Sequence, residues 1–213
     1  MTQPTSASRL LMKPQPADLT PKSRRAFDID EALERALQVF WRKGYEGASL
    51  SDLTDAMGIN RPSLYAAFGN KEDLFRKALG RYLAGPVAYI GEAIGQPTAR
   101  QVVEQLLLKS ADFLTNPKNP RGCLAVHGAL SCSSDAATIR EELNKVRRAY
   151  ENAMRRRFKK AKSKGDLPAT SNPADLARYV ATILQGMAVQ AVGGATRKDL
   201  RRIVELVLRS WPS

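Results

Sequence analysis

SLSDLTDAMGINRPSLYAAFGNKED, the stretch from Ser49 to Asp73, decides how this chain folds. Apolar residues fall at Leu50, Leu53, Met57 and Ile59, then at Leu64 and Phe68, the spacing of short helices packed on one small core. Ser49 with Asp52 three residues on forms a capping box for the first helix, and Gly58 stands where that helix must stop. Asn60 can cap the next helix, Arg61 to Phe68, in which Pro62 is tolerated because it falls in the first turn. Asn70, with Asp73 at the third position, opens another. Two short helices around a tight glycine turn make a helix-turn-helix, whose second helix enters the DNA major groove by its N-terminal end. The expected activity is DNA binding.

Upstream, Ile29, Leu33, Leu37, Phe40 and Trp41 give Asp28–Lys43 one apolar helical face, ended by Gly44. Residues 1–26 hold Pro4, Pro14, Pro16 and Pro21 among polar and basic residues and cannot bury a core, so a disordered N-terminal arm is expected. Its Lys22, Arg24 and Arg25 either reach a phosphate or minor groove or stay solvated. Downstream of the motif, Leu74, Phe75, Leu79 and Tyr82 lead to a break at Gly85–Pro86. Longer helices are expected over about 98–115, 122–130, 136–162, 173–192 and 197–211, and no segment alternates as a strand would. The chain therefore reads as all-α, with a three-helix helix-turn-helix domain over 27–85 and a second helical domain over 86–213. The last two helices bear the stripes Leu176, Val180, Ile183, Leu184, Met187 and Leu200, Ile203, Val204, Val207, Leu208. Such a pair closes its own core or packs on a second subunit, and the need for two DNA half-sites favours a homodimer.

The formal net charge of +13 and pI near 10.0 favour a polyanionic partner. Residues 1–85 carry a net of only +3, however, and the remainder carries +10, much of it in RRAYENAMRRRFKKAKSK at 147–164. Leu143, Val146, Tyr150, Met154 and Phe158 run an apolar stripe through that segment, so the plainer reading of its cations is a solvated helix face. A sequence-independent nucleic-acid-binding helical protein working through this segment is the alternative of another class. No apolar run approaches the ~20 residues that span a bilayer, no secretory signal is visible, and two cysteines do not suggest an oxidised scaffold. A cytoplasmic protein without membrane contact is expected. An enzyme is not: there is no Gly-rich phosphate loop or paired-carboxylate arrangement, and a Cys-His site around Cys123 lacks a third member. No cofactor is expected either.

The segment from Ala32 to Leu79 resembles the DNA-binding domain of the TetR family of transcriptional repressors. The tract GINRPSLYAAFGNKEDLF is similar to that family's Gly-Val turn, Leu-Tyr-x-x-Phe recognition helix and Lys-Glu-x-Leu helix start, with Phe40, Gly44, Tyr45, Ser49 and Leu53 also in step. The resemblance implies a homodimer that holds a palindromic double-stranded DNA operator and lets go when a small-molecule inducer enters the C-terminal ligand-binding and dimerisation domain. By position it assigns Arg61, Pro62, Ser63 and Tyr65 to the major groove or its phosphates, and Ser49 and Lys71 to the DNA backbone at two helix N-termini. A hydroxyl among free helix N–H groups suits a phosphate, and arginine can pair with guanine O6 and N7. Ala48, where the family often has Thr, removes one polar contact.

Arg121-Gly-Cys-Leu-Ala-Val-His-Gly-Ala-Leu-Ser-Cys132 holds both cysteines and the sole histidine. Three readings stay open. Cys123 is a small core residue, which ranks first. As a thiol sensor of electrophiles or oxidants it would have His127 one turn away and Arg121 nearby to favour thiolate, and Gly-Cys-Leu resembles one branch of TetR-like regulators. A metal site of Cys123, His127 and Cys132 ranks last, because the spacing completes no recognised tetrahedral set. Phe113, Cys123, Val126, His127 and Tyr150 are the candidate ligand-binding residues, with Leu107 a further candidate for the pocket lining.

Overall fold

Asp28 accepts hydrogen bonds from the backbone N–H groups of Asp30 and Glu31 and so starts the first of ten helices in the computed structural model, which describes residues 27–130 and 136–212. The proposed arm and Cys132 lie outside the described residues. Helix α1 (Ile29–Gly47) is interrupted at Gly44, whose backbone (φ 71°, ψ 179°) leaves the helical region where the sequence predicts an end. Then come α2 (Leu50–Met57), α3 (Arg61–Phe68) and α4 (Lys71–Ala84). The second domain holds α5 (Tyr89–Ile94), α6 (Ala99–Leu114), α7 (Leu124–Leu130), α8 (Ala137–Ser163), α9 (Pro173–Val192) and α10 (Arg197–Arg209). Among the described residues there is no strand, and no helix is long and apolar enough to cross a membrane.

The expected caps are present. Ser49 and Asp52 close a reciprocal capping box on α2, Asn60 accepts from the Ser63 N–H, and Asn70 and Asp73 repeat the box on α4. Two-turn helices are too short to stand alone. What holds α3 is Leu64 and Phe68, both fully buried and each contributing about 1.5–3 kcal/mol. They join a core built from α1, α2 and α4, which also takes in Leu124, Ile139 and Leu143 from the second domain. A second core lies among α6, α8, α9 and α10, around Leu106, Leu107, Phe158, Val180 and Val204.

The break expected at Gly85–Pro86 is present, since α4 ends at Ala84, and the short helix α5 follows it. One expectation is corrected. In the α8 stripe, Leu143, Met154 and Phe158 are buried as expected, whereas Val146 and Tyr150 are only half-buried, Tyr150 because it borders a cavity.

Candidate DNA-binding surface and ligand cavity

Burying Leu64 and Phe68 turns the opposite side of α3 outward. Arg61, Pro62, Tyr65 and Ala66 are exposed, Tyr65 at 48% although its ring is large and apolar, and Ser63 is half-buried beside them. The Arg61 guanidinium donates to Ser51 Oγ at 3.2 Å, which parks it over the first turn of α2. The Ser49 hydroxyl is already engaged, accepting from the Asp52 N–H at 3.0 Å and donating to Asp52 Oδ2 at 2.8 Å. Lys43 pairs with the other carboxylate oxygen at 2.6 Å. That pairing, with the bonds to Ser49, holds the Asp52 carboxyl down at about 2, so it stays ionised and the cap intact across the physiological range. Lys71 sets its ammonium 4.6 Å from the centre of the Tyr45 ring, and its half-burial lowers its pKa. The six residues assigned from the sequence thus lie on α3 and at the N-termini of α2 and α4. Lys77 was not foreseen: it donates to the Phe68 carbonyl at 3.0 Å and satisfies the C-terminal end of α3.

The second feature is a partly open cavity of about 90 Å³ between the end of α4 and the helices of the C-terminal domain. Leu106, Val126, Met154 and Leu184 make its wall apolar, and Phe113, Cys123 and Tyr150 line it as anticipated. Leu107 does not line it; it is fully buried in the core, and its neighbour Leu106 faces the space instead. His127 is not on the wall either. Its Nε2 lies 3.3 Å from the Ala188 carbonyl, which can only accept, so Nε2 carries the proton. Arg121 donates to the Ala191 carbonyl at 3.2 Å, near the end of α9.

A tyrosine meets the thiol, and two more stand on the same wall. The Tyr82 hydroxyl donates to Cys123 Sγ at 3.3 Å. Tyr89 donates to Ser110 Oγ at 3.0 Å, since Ser110 spends its own proton on the Leu106 carbonyl. Burial, with the sulfur close by, pushes the pKa of Tyr82, Tyr89 and Tyr150 up, so all three remain proton donors. Arg147, hydrogen-bonded to Asn144, adds a cation to the wall. No local pattern flagged Tyr82, Tyr89 or Arg147, because helices distant in sequence bring them together. Among the described residues, no three His, Cys, Asp or Glu side chains converge as metal ligands.

Aromatic packing joins the two features. Trp41 of α1 stacks on Phe113 at 5.4 Å and meets Tyr82 edge-on at 4.8 Å, both residues of the cavity wall. Its indole N–H donates to the Gly122 carbonyl at 3.0 Å, one residue before Cys123. Arg76 of α4 reaches Glu142 of α8 at 2.8 Å and ties the domains at a second point.

Residues 32–78 match the family model of bacterial regulatory proteins of the tetR family, and residues 97–207 match that of the tetracyclin repressor-like C-terminal domain. The HTH-type transcriptional repressor ComR of Escherichia coli is 31% identical over 190 residues, which cover 88% of this chain and 90% of ComR. BdcR, another HTH-type transcriptional repressor of Escherichia coli, is 28% identical over 184 residues, covering 84% and 87%. Among solved structures, a cysteine mutant of the TetR family transcriptional regulator CifR complexed with 26bp double-strand operator DNA aligns at a TM-score of 0.85 and 43% identity, covering 89% of this chain and all of that one.

Proposed function

Because this chain belongs to the TetR family of bacterial regulatory proteins, DNA-binding regulators rather than enzymes, we propose that it is a cytoplasmic homodimeric repressor that a small molecule releases from a palindromic operator. The observation that carries this reading is the packing of Trp41 between the helix-turn-helix domain and the cavity wall. A ligand entering the cavity displaces Tyr82 or Phe113, and α1 and α4 must follow. The two recognition helices of the dimer then no longer match the half-site spacing. Dimerisation through α9 and α10 is supported by the exposure of Tyr179, Val189, Val192 and Leu206, large apolar side chains left on the outer surface of that pair.

The cavity volume supports a small inducer. An apolar cavity of about 150 Å³ takes benzene, so about 90 Å³ suits a compact, largely apolar molecule rather than a long acyl chain. The tyrosine hydroxyls and Arg147 would meet one polar group on it.

The test is selection of genomic fragments with purified protein, followed by affinity measurement on the best palindrome. Arg61→Ala and Tyr65→Ala are each expected to weaken that complex by about 1–3 kcal/mol, roughly 5- to 150-fold, without changing helix content. Undiminished affinity in both variants would sink the assignment of α3 as the reader.

A second reading, a thiol sensor of electrophiles on the same scaffold, is favoured by the hydrogen bond from Tyr82 to Cys123 Sγ. The sulfur accepts the Tyr82 O–H at 3.3 Å, and Cys123 is half-buried on the cavity wall, where a small electrophile entering the cavity would meet it. N-ethylmaleimide is expected to release operator from the wild type and not from Cys123→Ser, with operator affinity alike in both before treatment. Release from both proteins would move the sensitive group elsewhere.

A further inference from the structure

The charges of α8 are arranged unequally along its length. In its N-terminal half each acid has a basic partner: Glu141 with Arg148, Glu142 with Arg76, and Glu151 with Arg178. Beyond Glu151 the helix and its C-cap carry seven cations, Arg155 to Lys164, and no acid. Arg157 is tied to the carbonyls of Gln96 and Pro97, and Lys162 to that of Ser171. Arg155, Arg156, Lys159 and Lys160 are exposed, and none has an ion-pair partner among the described residues.

These four sit on the solvent side of α8, because Met154, Phe158 and Ala161 face the core. Arg155 with Lys159, and Arg156 with Lys160, are like charges four residues apart, a spacing that destabilises a helix. The helix dipole favours cations only in the last turn, which covers Lys160 and Lys162 and leaves Arg155 and Arg156 unexplained. Among the described residues no ion pair offsets this repulsion, whereas a polyanion laid along the helix would.

We propose that the Arg155–Lys160 face of α8 is a second, sequence-independent docking surface for the phosphate backbone of a DNA duplex other than the operator held by α3. The face lies ~20–27 Å along α8 from Glu142, the residue that meets α4, so it is remote from the helix-turn-helix. A straight helix presenting four cations over two turns follows a phosphate strand without reading bases. A membrane surface fits less well, because insertion needs apolar side chains on the contact face, and the exposed large apolar residues of the described chain lie elsewhere. Bound in this way, one dimer bridges its operator to a distant stretch of DNA.

The inference rests on the operator-binding reading only in calling this duplex the second. The experiment immobilises the selected operator, loads full-length protein, and measures capture of a labelled duplex lacking the operator. Its comparison is a variant carrying Arg155→Gln, Arg156→Gln, Lys159→Gln and Lys160→Gln. Wild type is expected to capture the second duplex and the variant about ten-fold less, with operator affinity held within about two-fold. The slope of log affinity for the second duplex against log salt should fall by about 3–4, since each phosphate contact contributes about 0.9. Equal capture by both proteins, no capture by wild type, or capture of anionic lipid vesicles in place of duplex would each overturn the proposal. Direct binding of the non-operator duplex to an Arg61→Ala protein gives the same comparison without any operator, so failure of the operator reading leaves this measurement standing.

Discussion

Gly122→Ala is expected to cost about 2–5 kcal/mol and to lower the thermal midpoint by on the order of 10 °C. Two effects add. Gly122 has φ +88°, a conformation that costs an L-residue about 1–2 kcal/mol. A Cβ there would also stand 2.5 Å from His127 Nε2 and 2.7 Å from Val192 Cγ2, and forcing atoms into a packed site costs about 1–3 kcal/mol. The imidazole cannot swing aside freely, because its Nε2–H is held by the Ala188 carbonyl. Gly165→Ala separates the two effects. Its φ is +76°, but nothing lies within 4 Å of the added carbon, so only the backbone penalty of about 1–2 kcal/mol is expected. Calorimetry on both variants decides. Equal losses would mean that the space around Gly122 yields without strain.

The division between what was legible in the sequence and what was not follows the range of the interactions. Ser49, Gly58, Asn60 and Asn70 act on backbone groups within four residues, so the helix-turn-helix and its caps could be placed residue by residue. The outward face of α3 was legible for the same reason: once Leu64 and Phe68 pack inward, helical geometry turns Arg61 and Tyr65 out. The cavity obeys no such rule. Leu106 and Leu107 are both fully buried neighbours on α6, and which one faces the open space is settled by α8 and α9. Tyr82 reads as one more apolar residue of α4, yet its hydroxyl is the donor to the thiol. His127 and Arg121, close to Cys123 in sequence, turn to carbonyls of α9 instead. Proximity along the chain pointed to Cys123 but gave no hint of Tyr82, which lies 41 residues away and donates to its sulfur.

Removing the indole of Trp41 should have the largest effect on communication between the domains. Trp41→Ala deletes a side chain that is 4% exposed and touches both Tyr82 and Phe113, and it should cost about 3–5 kcal/mol. That variant tests stability more than coupling. Trp41→Phe is the sharper probe, because it keeps an aromatic body in place and removes the N–H that holds the Gly122 carbonyl. Leaving that buried acceptor unpaired costs about 1–3 kcal/mol, so the protein should still fold and bind operator. What should vanish is the dependence of one site on the other. If the indole carries the coupling, operator bound at α3 changes the rate at which N-ethylmaleimide alkylates Cys123 in the wild type. A coupling free energy of about 1–3 kcal/mol corresponds to roughly 5- to 150-fold in affinity, and the rate ratio should be readily measured. In Trp41→Phe the ratio of rates with and without operator is expected to approach one. This readout requires no knowledge of the natural inducer, and it distinguishes a broken joint from a weakened fold, since the free protein reports its own baseline reactivity. A ratio unchanged from wild type would place the communication elsewhere, with the Tyr82–Cys123 hydrogen bond and the Arg76–Glu142 ion pair between α4 and α8 as the next contacts to test.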